Sequence, residues 1–207
     1  MSAAETISPQ FLAELSERLF VISVGGRWMA PLGDRPLPVP AAPGAHLACA
    51  GEGDLARALR LLAPGPVDAG AMAAAYLAQA GVLRGLRRLE GAADPVAPPE
   101  AMALPGTGPF VLLSAAAMPL SRIAGLLIAG AAQGMLWKPA PGAAASAHLL
   151  MEALAPVAGA RLAMLHGDHA TGALLAGQGA VLWASDAAPP EGLAVRLRVP
   201  ARYPHRP

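Results

Sequence analysis

Apolar positions recur along this chain with two different rhythms. In residues 9–20, Phe11, Leu12, Leu15 and Leu19 return at helical spacing and predict a short helix. Val24-Gly-Gly-Arg-Trp-Met29 predicts a turn between two strand-like stretches, and residues 31–47, rich in proline, are expected to be extended or loop. Leu55, Leu59 and Leu62 repeat the helical spacing behind Asp54, a residue suited to capping free backbone amides, and Pro64 and Pro66 stop that helix. A longer helix is expected over about 68–89, followed by a Pro/Gly-rich connector at 91–109.

The second half changes rhythm. Short, mostly apolar runs at 109–114, 135–138, 161–165, 180–183 and 194–199 alternate with helical stretches at 120–132, 143–155 and 168–176. Strands apolar on both faces and separated by helices predict a parallel sheet covered on both sides, joined by right-handed crossovers. The expected fold class is α/β, a doubly wound, Rossmann-like parallel sheet preceded by an N-terminal helical and hairpin arm. The expected division is an arm at 1–50, a Rossmann-like domain at 51–199 and a tail at 200–207.

Composition narrows the function classes. The chain has 207 residues, 55% of them hydrophobic and 14% charged, which allows a substantial core and excludes a wholly disordered chain. Abundant Ala, Gly, Pro and Arg match a GC-rich genome. The net charge of +1 argues against nucleic acid as a partner. Arg84, Arg87 and Arg88 are expected to form a solvated helix face. A single cysteine, Cys49, excludes an internal disulfide framework and suits a reducing, cytoplasmic setting. The N-terminus shows no signal-peptide pattern. Residues 110–137 are apolar enough to suggest a membrane span, but Pro119, Arg122, Gly130 and Gly134 interrupt them, so strand, helix and strand are expected instead.

Several motifs, in this order, resemble the coenzyme-binding part of the aldehyde dehydrogenase superfamily. Val24-Gly-Gly-Arg-Trp-Met29 resembles its opening "INGEWV" hairpin. Phe110-Val-Leu-Leu-Ser-Ala-Ala-Ala-Met-Pro119 aligns with the strand ending in "PWNFP", and Gly134-Met-Leu-Trp-Lys-Pro139 with "GNTVVLKPS". Ser146-Ala147 falls where the family's next helix carries "SA", and Leu165-His-Gly-Asp-His-Ala-Thr-Gly172 resembles its "VTGDG…G" turn. The resemblance covers roughly residues 20–185 and implies that Lys138 reaches the ribose of a nicotinamide dinucleotide.

The same resemblance marks losses. The family's second ribose contact, a glutamate, falls on Pro141. Its oxyanion-binding asparagine falls on Ala117, which has no donor. Its "FTGS" turn falls on Trp183-Ala-Ser-Asp186, where Ser185 replaces glycine and Asp186 brings negative charge towards a diphosphate. Pro189 and Pro190 interrupt the helix start expected next. No position corresponds to the catalytic glutamate and cysteine, and Cys49 stands far from the nucleophile's place in the family. The losses and the size are similar to those of the non-catalytic aldehyde-dehydrogenase-like domain of some proline-utilisation flavoenzymes, which helps seal a neighbouring active site.

Other candidates have plainer expectations. Asp168 is expected to cap the helix behind it, and His166, Asp168 and His169 to form a polar turn rather than a metal site. Trp28, Trp137 and Trp183 are expected as core or interface anchors. The expected function is a catalytically inactive structural or accessory subunit, partnered with itself or with a full-length aldehyde dehydrogenase, with no cofactor and no metal. The connector 91–109 and the tail are expected to reach the partner. The alternative is a module, or one half of a two-chain oxidoreductase, that binds NAD or NADP weakly through Lys138.

Overall fold

The structure, a computed structural model, describes residues 9–201. The N-terminal stretch inspected for a signal peptide, the side chain of Leu12 and nearly all of the tail lie outside the described residues. Among the described residues, ten strands form two sheets, and they are numbered here in chain order.

The larger sheet holds the alternating second half. Strands β6 (Phe110–Ser114), β7 (Met135–Pro139), β8 (Leu162–Met164), β9 (Ala180–Ala184) and β10 (Val195–Val199) are mutually parallel, in spatial order β10-β9-β6-β7-β8. The chain moves one way from β6 to β8, then returns past β6 to β9 and β10. That reversal opens a crevice between β6 and β9, the switch point of a doubly wound sheet. The hairpin β2 (Ile22–Val24) and β3 (Arg27–Met29) extends the sheet antiparallel beyond β8. Gly25 and Gly26 take φ of 61° and 74° in its two-residue turn, a conformation that favours glycine.

Strand parity sorts the core into two halves. Phe110, Leu112, Met135, Trp137, Leu162, Met164 and Leu182 face helices α3 (Ala69–Ala78), α5 (Leu120–Ala131) and α6 (Ala144–Ala158). Val111, Leu113, Leu136, Ala163 and Val181 face α2 (Glu52–Leu61) and α7 (His169–Ala176). Helices on both faces explain why these strands are apolar on both of their sides up to their carboxyl ends. Residues 110–137 are therefore strand, helix and strand, as their interruptions predict. One helical stretch among the described residues, Pro141–Arg161, is long and apolar enough to cross a membrane, and 61% of its most apolar window is buried inside the protein.

Several local expectations are corrected. The first helix, α1 (Pro9–Ser16), ends early, and β1 (Leu19–Phe20) follows it. The proline-rich 31–47 contributes β4 (Pro36–Pro38) and the start of β5 (His46–Ala48). These pair as a small sheet, β1-β5-β4, over Leu15, Phe20, Leu47 and Cys49. The helix expected over 68–89 breaks at Gln79 into α3 and α4 (Ala80–Leu89). Asp54 sits inside α2 and is fully buried. It accepts the Gly51 N–H at 3.1 Å and the Leu32 N–H at 2.8 Å, so it joins the helix start to the proline-rich segment. The connector is tied to the domain at several points along an otherwise largely exposed course. Asp94 and Val96 are buried, Tyr76 Oη donates to the Ala97 carbonyl, and the Glu100 N–H bonds Ser121 O.

The arginine face is corrected as well. Arg87 is 1% exposed and anchors a buried polar network. Its guanidinium donates to Glu90 at 3.0 Å and to the carbonyls of Ala116 and Met118, and lies 3.6 Å from Asp94. Glu90 also accepts the N–H and the hydroxyl of Ser146, at 2.9 and 2.6 Å. Helical spacing places Arg87 one turn from Arg84, but α4 turns it inward, because two carboxylates and the β6–α5 loop need a donor with several N–H groups.

Candidate functional site

A cavity of about 640 Å³ opens at the carboxyl ends of β6, β7 and β9, on the α7 face and at the switch point. Its walls include Leu113, Ala116, Ala140, Ala173, Trp183 and Leu193, with Lys138, Asp168, Ser185 and Glu191 as charged or polar members.

Lys138 stands on β7 two residues beyond Leu136 and so points to the same face. It is 8% exposed. Gly172 of α7 packs over its stem, and a Cβ there would stand in ordinary contact, 3.6 Å from Lys138 Cδ. Its Nζ donates to the Pro139 carbonyl at 3.3 Å, and among the described residues no carboxylate lies within 4.0 Å of it. Burial pushes its pKa below the ordinary lysine value, and Asp168 and Cys49 pull weakly the other way.

Asp168 caps α7 as expected, accepting the N–H groups of Ala170 and Thr171 at 2.9 and 3.2 Å. It also pairs with Arg35 at 2.7 Å, a link absent from any local motif. The Arg35 hydrogen bond holds its carboxyl below the usual carboxylate range. The two neighbouring histidines part company. His166 is buried against Phe20, while His169 is exposed at the cavity rim. Gly167 between them is pressed so close to Thr171 that a Cβ would collide with that side chain.

The tryptophans divide similarly. Trp137 is core, with Nε1 donating to Ser114 Oγ at 2.9 Å. Trp28 stacks on His148 at 4.1 Å. Trp183 lines the cavity without filling it, its Nε1 tied to the Ala187 carbonyl at 2.7 Å. Cys49 is buried at the end of β5, and burial raises its thiol pKa. It does not line the cavity.

The residues do not suit the diphosphate of a dinucleotide. Such a group rests on free amides at a helix N-terminus. Here Asp94 accepts the Leu120 N–H of α5 at 2.6 Å, Glu90 accepts the Ser146 N–H of α6, and Asp168 caps α7. Each helix start near the strand ends therefore already carries a carboxylate of the protein itself. Among the described residues, no helix follows β9. Residues 185–194 form an irregular loop in which Ser185 Oγ accepts the Ala187 N–H at 3.1 Å and Asp186 accepts the Ala201 N–H at 2.7 Å. Pro141 offers no N–H where the chain leaves β7.

Parallel order, switch point and hairpin define a Rossmann-like domain. Solved structures place it further. Aldehyde dehydrogenase from Bartonella henselae superimposes on 80% of this chain with a TM-score of 0.65 at 16% identity, over 47% of its own length. Delta-pyrroline-5-carboxylate dehydrogenase from Mycobacterium tuberculosis matches 84% of the chain with a TM-score of 0.66 at 18% identity, over 44% of its length. Proline utilization A from Bdellovibrio bacteriovorus matches 91% with a TM-score of 0.67 at 14% identity, over 27% of its length. The fold is thus aldehyde-dehydrogenase-like, and the chain spans less than half the length of these proteins. Neither a scan of protein-family models nor a search of curated proteins gives a match.

Proposed function

We propose that this chain is a non-catalytic, aldehyde-dehydrogenase-like protein that acts as a structural or accessory subunit, on itself or with a full-length dehydrogenase. The capped helix starts carry this reading. The start of α7, which borders the cavity, is capped by Asp168, the starts of α5 and α6 carry Asp94 and Glu90, and the loop after β9 binds its own donors. Ala117, in the place of the family's oxyanion donor, is exposed on the β6–α5 loop and has nothing to donate. Association is favoured by two open sheet edges, β3 and β10, and by exposed Leu32, Leu77, Val82 and Leu89 on a chain of low charge. A cytoplasmic setting suits a protein with one buried thiol.

Titration calorimetry with NAD and NADP tests the first half. No binding tighter than about 100 μM, roughly 5.5 kcal/mol, is expected. Tighter binding that is lost in Lys138→Ala, or oxidation of an aldehyde by the purified chain, overturns it. For the second half, light scattering and co-purification of the tagged chain are expected to show self-association or a bound dehydrogenase. A solitary monomer in both experiments counts against it.

A further inference from the structure

Lys138 is the only lysine among the 15 Lys and Arg residues of the chain; every other one is arginine. A fixed cation at this position would be served by arginine, which the chain uses everywhere else. What lysine adds is an amine that can shed its proton and expose a nucleophilic lone pair, which a guanidinium cannot do in a protein. That amine lies 8% exposed in the wall of an apolar cavity, bonded only to a backbone carbonyl and without a carboxylate within 4.0 Å among the described residues.

We propose that the cavity binds a small aldehyde or ketone with an apolar body, and that Lys138 Nζ holds it as an imine. The cavity volume, about 640 Å³, falls within the range of roughly 300–1,000 Å³ usual for small-molecule sites. Leu113, Ala116, Ala173, Trp183 and Leu193 surround the body of the ligand. Asp168 and Glu191 share the lining with Lys138, which disfavours an anionic ligand and favours a neutral carbonyl. Desolvation of Lys138 enlarges the neutral, nucleophilic fraction of the amine. In the reaction the nitrogen lone pair attacks the carbonyl carbon and a C–N bond forms. The carbonyl oxygen then leaves as water with both amine hydrogens. Nothing is oxidised or reduced, and no co-reactant is needed. The inference is independent of the subunit reading, because the imine forms on the chain alone.

The test uses the full chain, hexanal as probe and sodium cyanoborohydride to trap the imine, read by intact mass and peptide mapping. The N-terminal α-amine is an internal reference for unselective reaction. Lys138 is expected to label roughly tenfold faster than the α-amine or more, as an amine preorganised beside a bound carbonyl should. Hexanol, which can compete for the cavity without reacting, should slow it. Ala173→Trp, at an exposed position of the cavity wall, keeps the lysine and should reduce Lys138 labelling to the reference rate. Lys138→Arg should abolish the internal adduct, and circular dichroism checks that this variant is folded. Should it fail to fold, Ala173→Trp decides. Labelling of Lys138 no faster than the α-amine, or unchanged by Ala173→Trp, overturns the proposal.

Discussion

The two faces of the central sheet use polar groups in opposite ways. On the α5–α6 face, Arg87, Glu90, Asp94 and Ser146 are buried together, and their hydrogen bonds tie α4, the β6–α5 loop and the starts of α5 and α6 into one block. On the α7 face, Lys138 is nearly as buried, yet it bonds a single carbonyl and looks into open volume. A buried charge with several partners holds structure together. One with few partners is costly to bury, and its retention suggests a use. The difference assigns stability to one face and leaves the other as the proposed ligand site.

The largest expected effect breaks the sealed face. Arg87→Met leaves Glu90 and Asp94 buried without their cation and should destabilise the fold by about 3–5 kcal/mol, measured by urea denaturation. The next concerns pH. Burial, with smaller contributions from His148 and Lys138, lowers the pKa of His166 to about 3, against about 6.5 in the unfolded chain. Between those values the unfolded state binds a proton that the native state refuses. Stability should therefore be full above pH 6.5 and fall as pH drops towards 3, by at most about 1.4 kcal/mol per unit from this group. His166→Phe, packed beside Phe20, should flatten part of that decline in denaturation curves recorded from pH 7 to pH 4.

Smaller effects belong to the open face. Asp168→Ala removes the cap of α7 and should cost about 1 kcal/mol. The exposed Arg35 pair should add little, so raising the salt concentration should barely change the loss. Lys138→Met keeps the stem and removes the amine, and it should change stability by less than about 1 kcal/mol, in the stabilising direction. A large destabilisation there would erase the contrast between the faces and make Lys138 a structural residue.

Much of the fold was legible because periodicity reports burial directly. The runs at 110–114, 135–139 and 180–184 are apolar up to their carboxyl ends, where Ser114 and Lys138 stand, because helices cover both of their sides. The cap at Asp168 was legible because capping is local. The strands β4 and β5 were not, since proline-rich sequence signals only extended backbone and their pairing is a contact across residues. The inward turn of Arg87 was illegible for the same kind of reason. Helical spacing says which residues share a face, not what that face meets. The cavity itself is assembled from β6, β7, α7 and the loop after β9, so no single stretch announces it.

The sequence by itself determined the alternation of strands and helices, the glycine hairpin, the caps, and the presence of one lysine at the end of an apolar strand. These follow from local propensity and period. Only the tertiary structure decided that Arg87 is interior, that Asp94, Glu90 and Asp168 occupy the helix starts, and that Lys138 faces a cavity beneath Gly172. Those outcomes depend on which distant segments are brought together, and burial and charge pairing are properties of that assembly rather than of any one segment.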